Sequence, residues 1–398
     1  MTLLPLFDVS HLPDAAWMVD PPAPTGLLSG LREPIDIEEV GHAVADFVGE
    51  SIELTPLEAP PQQEWLAEIR VPGLSSPLLF FTAKREEHDG LEIPITECPQ
   101  LLGVESLLHP ADPLTVYVNL VRLLMAATPD PRFTWDVITN RIIDEQGLAE
   151  AFLGDGTEPP DRVLWVTEAV ETTNDRWIIQ TRGLHRCGRA ELAVAEVPVA
   201  AHQQALMLVD GLASLCLESP LPAPGQVIQV GSDLSVRIET AESRQLEAHT
   251  AAPTGIILDP EGDHVDETLK ALEGSTVAMY RTARAGARET RQARETWSTF
   301  AAFAATSCDS IDCLVQVPFM PPDGTDDDTH LLWLRVVSSD GTAAVAELLH
   351  CPPDAVGLAA GDRHDIDAET ISNWCIMLPE GPHGPESATL LVERLEAS

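Results

Sequence analysis

The segment Thr181-Arg182-Gly183-Leu184-His185-Arg186-Cys187-Gly188-Arg189-Ala190-Glu191-Leu192 is the most motif-like stretch of this 398-residue chain. It follows a strand-like run and places two glycines five residues apart, which lets the backbone turn tightly. One reading is a shaped turn whose arginines pair with nearby acids. The other is a site: His185, Cys187 and Glu191 are residue types that ligate zinc or form a nucleophile–base pair. On an extended strand His185 and Cys187 point to the same side, because side chains there alternate with a period of two. A metal site needs further ligands, and none stands at finger-like spacing.

Around this segment, residues 162–169 and 176–181 read as paired strands about a turn at 173–175. Pro198 suits the first turn of a helix, where its missing N–H costs nothing. Ala205, Leu206, Val209, Leu212, Ala213 and Cys216 then keep a 3.6-residue period. The proline-rich stretch 219–225 ends that helix, and 226–238 alternates like a strand. Residues 249–273 show little periodicity and read as a boundary, as does the Gly-Asp-Gly-Thr-Glu-Pro-Pro-Asp loop at 154–161.

Upstream, a strand near 1–7 and a proline-rich connection lead to a helix at 37–48 and strands at 51–57, 65–71 and 77–83. A helix at 113–127 and a packed segment around Trp135 follow. Downstream, a long helix over 278–306 buries Ala293, Trp297, Phe300, Ala301 and Ala304. Strands follow at 313–319, 330–338 and 343–350, then a turn and strand at 366–378, with the acidic run 323–328 as a hairpin loop. The fold class is α+β, with two or three small sheet-plus-helix domains. They span 1–157, 158–272 (separate, or one unit with the first) and 273–398, the last a long helix followed by a strongly bent antiparallel sheet.

The chain carries 64 acidic and 23 basic residues, a formal net charge of −41, and its only lysines are Lys84 and Lys270. Such a surface repels nucleic acid and anionic membranes, so neither is expected as a partner. The acids are dispersed between apolar runs, as on solvated faces of folded elements. Seven cysteines, an odd count, and a first twenty residues without lysine or arginine point to reduced thiols in a cytoplasm. The longest apolar run, 114–127, is broken by Asn119 and Arg122 and falls short of the ~18 residues a membrane span needs.

Three further clusters hold residue types that carry chemistry. Arg281, Arg284, Arg288, Arg291 and Arg294 recur at helical spacing. Arg284, Arg288 and Arg291 could grip an anionic ligand or partner, or pair with Glu289, Glu295 and acidic loops. Cys308 and Cys313 stand at a spacing zinc allows, with His330, His350 and Cys351 as completions, while buried free thiols are the plainer reading. Asp365, Asp367 and Glu369 lack the preceding apolar strand of a phosphotransferase aspartate site. There is no P-loop, dinucleotide fingerprint, His-Glu-x-x-His or Gly-x-Ser-x-Gly.

The C-terminal third carries Ala283, Ala287, Ala293, Arg294 and Phe300, then His330-Leu331-Leu332-Trp333-Leu334-Arg335-Val336. Ala346-Glu347-Leu348-Leu349-His350-Cys351-Pro352, Gly361-Asp362 and Ile371-Ser372-Asn373-Trp374-Cys375-Ile376 complete it. In this order it resembles the YegJ-like bacterial domain of unknown function, with Asn373 where that family has aspartate. The segment around Trp177 and 183–192 resembles the uncharacterised companion domain fused ahead of it, with Gln180 and Arg182 in place of histidines. The resemblance implies a fold and leaves function open.

These readings converge on a cytoplasmic, non-catalytic, immunity-like protein whose acidic surface masks a basic protein partner, with no cofactor and no metal. The rival is a hydrolase or metal-dependent enzyme using His185, Cys187 and Glu191.

Overall fold

The described strands form three sheets, and two of them share one core. The computed structural model describes residues 3–4, 15–84, 98, 100–153, 159–172, 175–219, 221–231, 234–244, 252–273, 282–308, 310–320, 329–351, 358–379 and 381–396. The expected strand at 1–7 (apart from residues 3 and 4), the acidic run 323–328 and Arg281 lie outside the described residues. The chain divides into two compact units, Met1–Thr282 and Ala283–Ser398. Among the described residues, no helix is long and apolar enough to cross a membrane.

In the first unit, the first sheet is formed by β1 (Thr25–Leu31), β2 (Glu53–Leu57), β3 (Leu66–Arg70), β4 (Leu78–Lys84), β5 (Gln100–Ser106), β6 (Phe133–Asp136) and β7 (Arg141–Asp144). Its order is β2-β3-β4-β5-β1-β6-β7, antiparallel throughout. The strand β1 falls where the sequence suggested a proline-rich connection. It is buried on both faces, Leu27 and Leu31 in the main core and Leu28 against Leu101, Phe133 and Trp135, so it shows no alternation.

Helix α1 (Ile37–Val48) starts at a capping box, Asp36 accepting from the Glu39 amide while Glu39 accepts from that of Asp36. Helix α2 (Pro113–Ala127) starts at Asp112, with Pro113 in the first turn. Fourteen of its fifteen residues are buried, as expected of a helix apolar on all sides. Arg122 lies inside that helix fully enclosed and donates from Nε to the Phe152 carbonyl at 2.7 Å. The short helix α3 (Glu145–Leu148) closes this half.

The second sheet contains β8 (Val166–Glu171), β9 (Arg176–Arg182), β10 (Glu191–Pro198), β11 (Val227–Gly231), β12 (Leu234–Thr240) and β13 (Thr254–Leu258), ordered β11-β12-β13-β10-β9-β8. Only β10 and β13 pair in parallel among its neighbours. Helix α4 (His202–Glu218) follows a 3-10 turn at Val199–Ala201, so the helix starts four residues later than Pro198 suggested. The run 226–238 is a hairpin and not one strand. The span read as a boundary holds β13 and helix α5 (Asp266–Glu273). Every residue of β13 is buried, so Thr-Gly-Ile-Ile-Leu lacks a polar face that would mark it as a strand. One core runs from Trp17 and Leu27 through α2 to Leu184, Val209 and Val236. Residues on both sides of the 154–161 loop thus belong to one unit.

In the second unit, the expected long helix is two, α6 (Ala283–Glu295) and α7 (Trp297–Ser307), interrupted at Thr296. The Thr296 hydroxyl donates back to the Gln292 carbonyl at 2.7 Å, sharing that acceptor with its own amide at 3.0 Å. The antiparallel sheet comprises β14 (Asp312–Phe319), β15 (His330–Ser339), β16 (Ala344–Leu348), β17 (Arg363–Ile366), β18 (Asn373–Leu378) and β19 (Gly381–His383), ordered β17-β16-β15-β14-β18-β19. Helix α8 (Ala388–Glu396) ends the chain's described part. Trp297, Phe300, Ala304 and Leu391 share a core with Val315, Leu334 and Trp374. The Phe300 and Trp374 rings stack at 5.1 Å, and Trp374 Nε1 donates to Thr296 at 3.0 Å.

Candidate functional site

Between the end of β9 and the start of β10 the chain reverses within eight residues. Gly183 has φ 130° and Gly188 φ 71°, and Leu184–Cys187 between them form a 3-10 turn. A Cβ on Gly183 would lie 2.4 Å from the Leu164 carbonyl oxygen, a backbone atom that cannot rotate away. Gly183→Ala is therefore expected to cost about 1–3 kcal/mol through backbone strain, read as a lowered midpoint in urea unfolding. An unchanged midpoint would show the turn to be adaptable.

The turn overrides the strand geometry expected for His185 and Cys187, which do not converge. His185 Nδ1 lies 2.5 Å from Glu191 Oε1. The same oxygen accepts from the Gly183 and His185 amides at 2.9 and 3.1 Å, and Oε2 accepts from the Thr181 hydroxyl at 2.6 Å. The Glu191 side chain is wholly buried, whereas that of His185 keeps 23% of its surface exposed. Burial alone would raise the Glu191 carboxyl; its hydrogen bonds from His185, Thr181 and the two amides outweigh that and hold it below the usual range. Cys187 instead faces inward, its Sγ 3.9 Å from the Gly183 carbonyl, and burial pushes the thiol up to about 12.

A thiol held protonated is neither a nucleophile nor a metal ligand at neutral pH. We expect Cys187 and Cys216, also pushed up to about 12, to stay unlabelled by an aromatic disulfide reagent until the protein is unfolded. Rapid native labelling of either would contradict this geometry. The pair His185–Glu191 has the form of a carboxylate orienting an imidazole for proton transfer, without a thiol partner.

The arginines of the segment are consumed by the fold. Arg186 is fully buried and grips Asp136 of β6 through two bonds of 2.9 and 2.8 Å. Its Nε and Nη2 reach the Leu164 carbonyl, and its guanidinium sits 4.8 Å above the Tyr117 ring. Tyr117 donates to Asp136 at 2.9 Å, and Asp136 also accepts the Ile138 and Thr139 amides. Burial raises the Asp136 carboxyl, but the charge and hydrogen bonds of Arg186, with those of Tyr117 and Thr139, bring it below its ordinary value. Arg189, also buried, spends its donors on the carbonyls of Cys216, Cys187, Gly188 and Pro110.

No protein-family model, curated protein or solved structure matches this chain.

A strap at 17–23 crosses the same turn. The Val19 amide donates to Gly188, that of Ala23 to His185 and that of Ala190 to Trp17, while Trp17 Nε1 donates to Pro222 at 2.6 Å. The turn is thus stitched to the first sheet, to α4 and to the strap.

The remaining candidates belong to the second unit. Arg284 and Arg288 are half-buried and Arg291 is exposed on α6, and none of the three is without a partner. Arg294 donates to the Ile371 and Glu369 backbone carbonyls. Cys308 is half-buried at the end of α7 and Cys313 is buried in β14. Asp367 caps a turn by accepting the Glu369 and Thr370 amides. Among the described residues, no three His, Cys, Asp or Glu side chains are placed to hold a metal. Sequence reasoning missed Asp136 and Tyr117. Their signal was a lone acid in an apolar strand and a lone phenol in an apolar helix, groups that need a buried partner.

Proposed function

We propose that this chain is a non-catalytic, cytoplasmic capture protein whose acidic surface masks a basic protein partner, as an immunity protein masks a toxin. The observation that carries this reading is where the charge sits. Among the described residues, the buried acids and arginines are Asp112, Asp136, Asp161, Glu191, Asp259, Arg122, Arg186 and Arg189. Five acids against three arginines leave a surplus of two among these buried residues, so core pairing takes up little of the acidic excess of the described residues. A field of that sign accelerates encounter with cationic proteins and weakens with salt. The reading includes the resemblance of residues 273–398 to the YegJ-like domain.

Affinity purification from the native host should return a basic protein in stoichiometric amount at low salt. The association rate with that protein should fall by about tenfold or more at high salt, with the dissociation rate nearly constant. Return of no basic protein at low and moderate salt would end the proposal.

A second reading, an enzyme built on His185 and Glu191, is favoured by the 2.5 Å contact between them. It predicts a hydrolytic activity abolished by His185→Ala. That result would displace the capture reading.

A further inference from the structure

We propose that the outer face of the C-terminal sheet is the docking surface for an amphipathic, basic segment of the partner; this rests on the capture reading. One face of β14, β15, β16 and β18 packs into the core with the helices. The alternate residues form the other face. Cys375 stands opposite Leu314, Gln316 opposite Trp333 and Pro318 opposite Leu331, with Met377 at one end and Leu349 bonded by its amide to the Trp333 carbonyl. Leu331, Leu349 and Met377 are 53%, 41% and 44% exposed, and Leu314, Trp333 and Cys375 are half-buried. A solvated sheet face normally turns polar residues outward; this one sets leucines, a methionine and a tryptophan among Gln316, Asn373, Arg335 and Asp312, with Leu331 and Met377 at opposite ends.

The charges around it choose the occupant. Arg335 pairs with Asp312 and Arg363 with Glu347 on the same face, and Asp365 follows on β17. These exposed pairs are weak and open to competition from an incoming cation. The sequence of residues 283–398 holds 19 acids against 7 arginines. A second copy would bring the same surplus and be repelled, whereas a segment with lysines or arginines flanking apolar residues satisfies both the apolar strip and the acidic surroundings.

The test uses the full chain and two probes, a peptide of leucine and lysine at helical spacing and a lysine homopolymer of equal charge. Anisotropy titration at moderate salt should show the mixed peptide binding about tenfold tighter than the homopolymer. The double variant Leu331→Gln/Met377→Gln should erase that preference and leave homopolymer binding unchanged. Met207→Gln and Val227→Gln, exposed positions of the first unit, should preserve it. A preference that survives the double variant overturns the surface while leaving capture standing. Failure of both probes to bind even at low salt overturns capture as well. Sedimentation showing a dimer that the double variant dissociates would assign the face to a second copy and overturn the proposal.

Discussion

Replacing Asp136 by alanine is expected to destabilise the first unit by about 3–5 kcal/mol, the cost of breaking a buried ion pair from one side. Arg186 would be left fully enclosed with its charge uncompensated, still bonded to Leu164 but facing a void at 2.8–2.9 Å. The Tyr117 hydroxyl and the Ile138 and Thr139 amides would lose their acceptor at the same time. Each unsatisfied buried group adds its own desolvation penalty. Removing both charges tells the two contributions apart. Asp136→Leu/Arg186→Met should recover much of the loss, because hydrophobic replacement of a whole buried pair is often near neutral. Urea unfolding of the single and double variants reads both effects. A loss below about 1 kcal/mol for Asp136→Ala would mean that water reaches the pair and that it does not clasp the two sheets.

That clasp explains why the division of the first 282 residues was hard to read in the sequence. The loop at 154–161 has the composition of a linker, yet Arg186 from one side of it is bound to Asp136 and Tyr117 from the other. Nothing in local composition reports a pairing across fifty residues. Elements with a period or a cap were legible: α1, α2 and α4, and the β14–β15–β16 meander, each show one or the other in the residues themselves. What was lost were strands buried on both faces. In β1 and β13, Thr-Gly-Leu-Leu-Ser-Gly-Leu and Thr-Gly-Ile-Ile-Leu, tertiary burial removes the alternation that would announce a strand. The candidate site was legible in composition but not in geometry. Gly183 and Gly188 bend the chain into a 3-10 turn, which joins His185 to Glu191 and turns Cys187 inward. The arginine stripe on α6 was correctly spaced, but spacing does not reveal that Arg294 is spent on the carbonyls of Glu369 and Ile371.

Glu191→Gln is the second large effect, and its pH dependence identifies its cause. At neutral pH the substitution should cost about 2–4 kcal/mol, because an amide replaces the charged acceptor of the Gly183 and His185 amides, the Thr181 hydroxyl and the His185 ring. The sign of the linkage follows from the carboxyl lying lower in the folded than in the unfolded state. Its contribution is full above the unfolded value of about 4.3 and is lost as pH falls through the folded value. Asp136, shifted in the same direction, behaves alike and remains in the variant. Wild type should therefore lose stability faster than Glu191→Gln on acidification, and the gap between them should close. Salt separates this from the surface charge. Screening the surplus of forty-one charges should stabilise both proteins at neutral pH, while the difference between them persists because the Glu191 side chain has no exposed surface. Urea unfolding from about pH 7 downward, at low and high salt, supplies every comparison needed. A gap that stays constant with pH would show that Glu191 acts by shape alone, and a gap that vanishes in salt would place its charge in solvent.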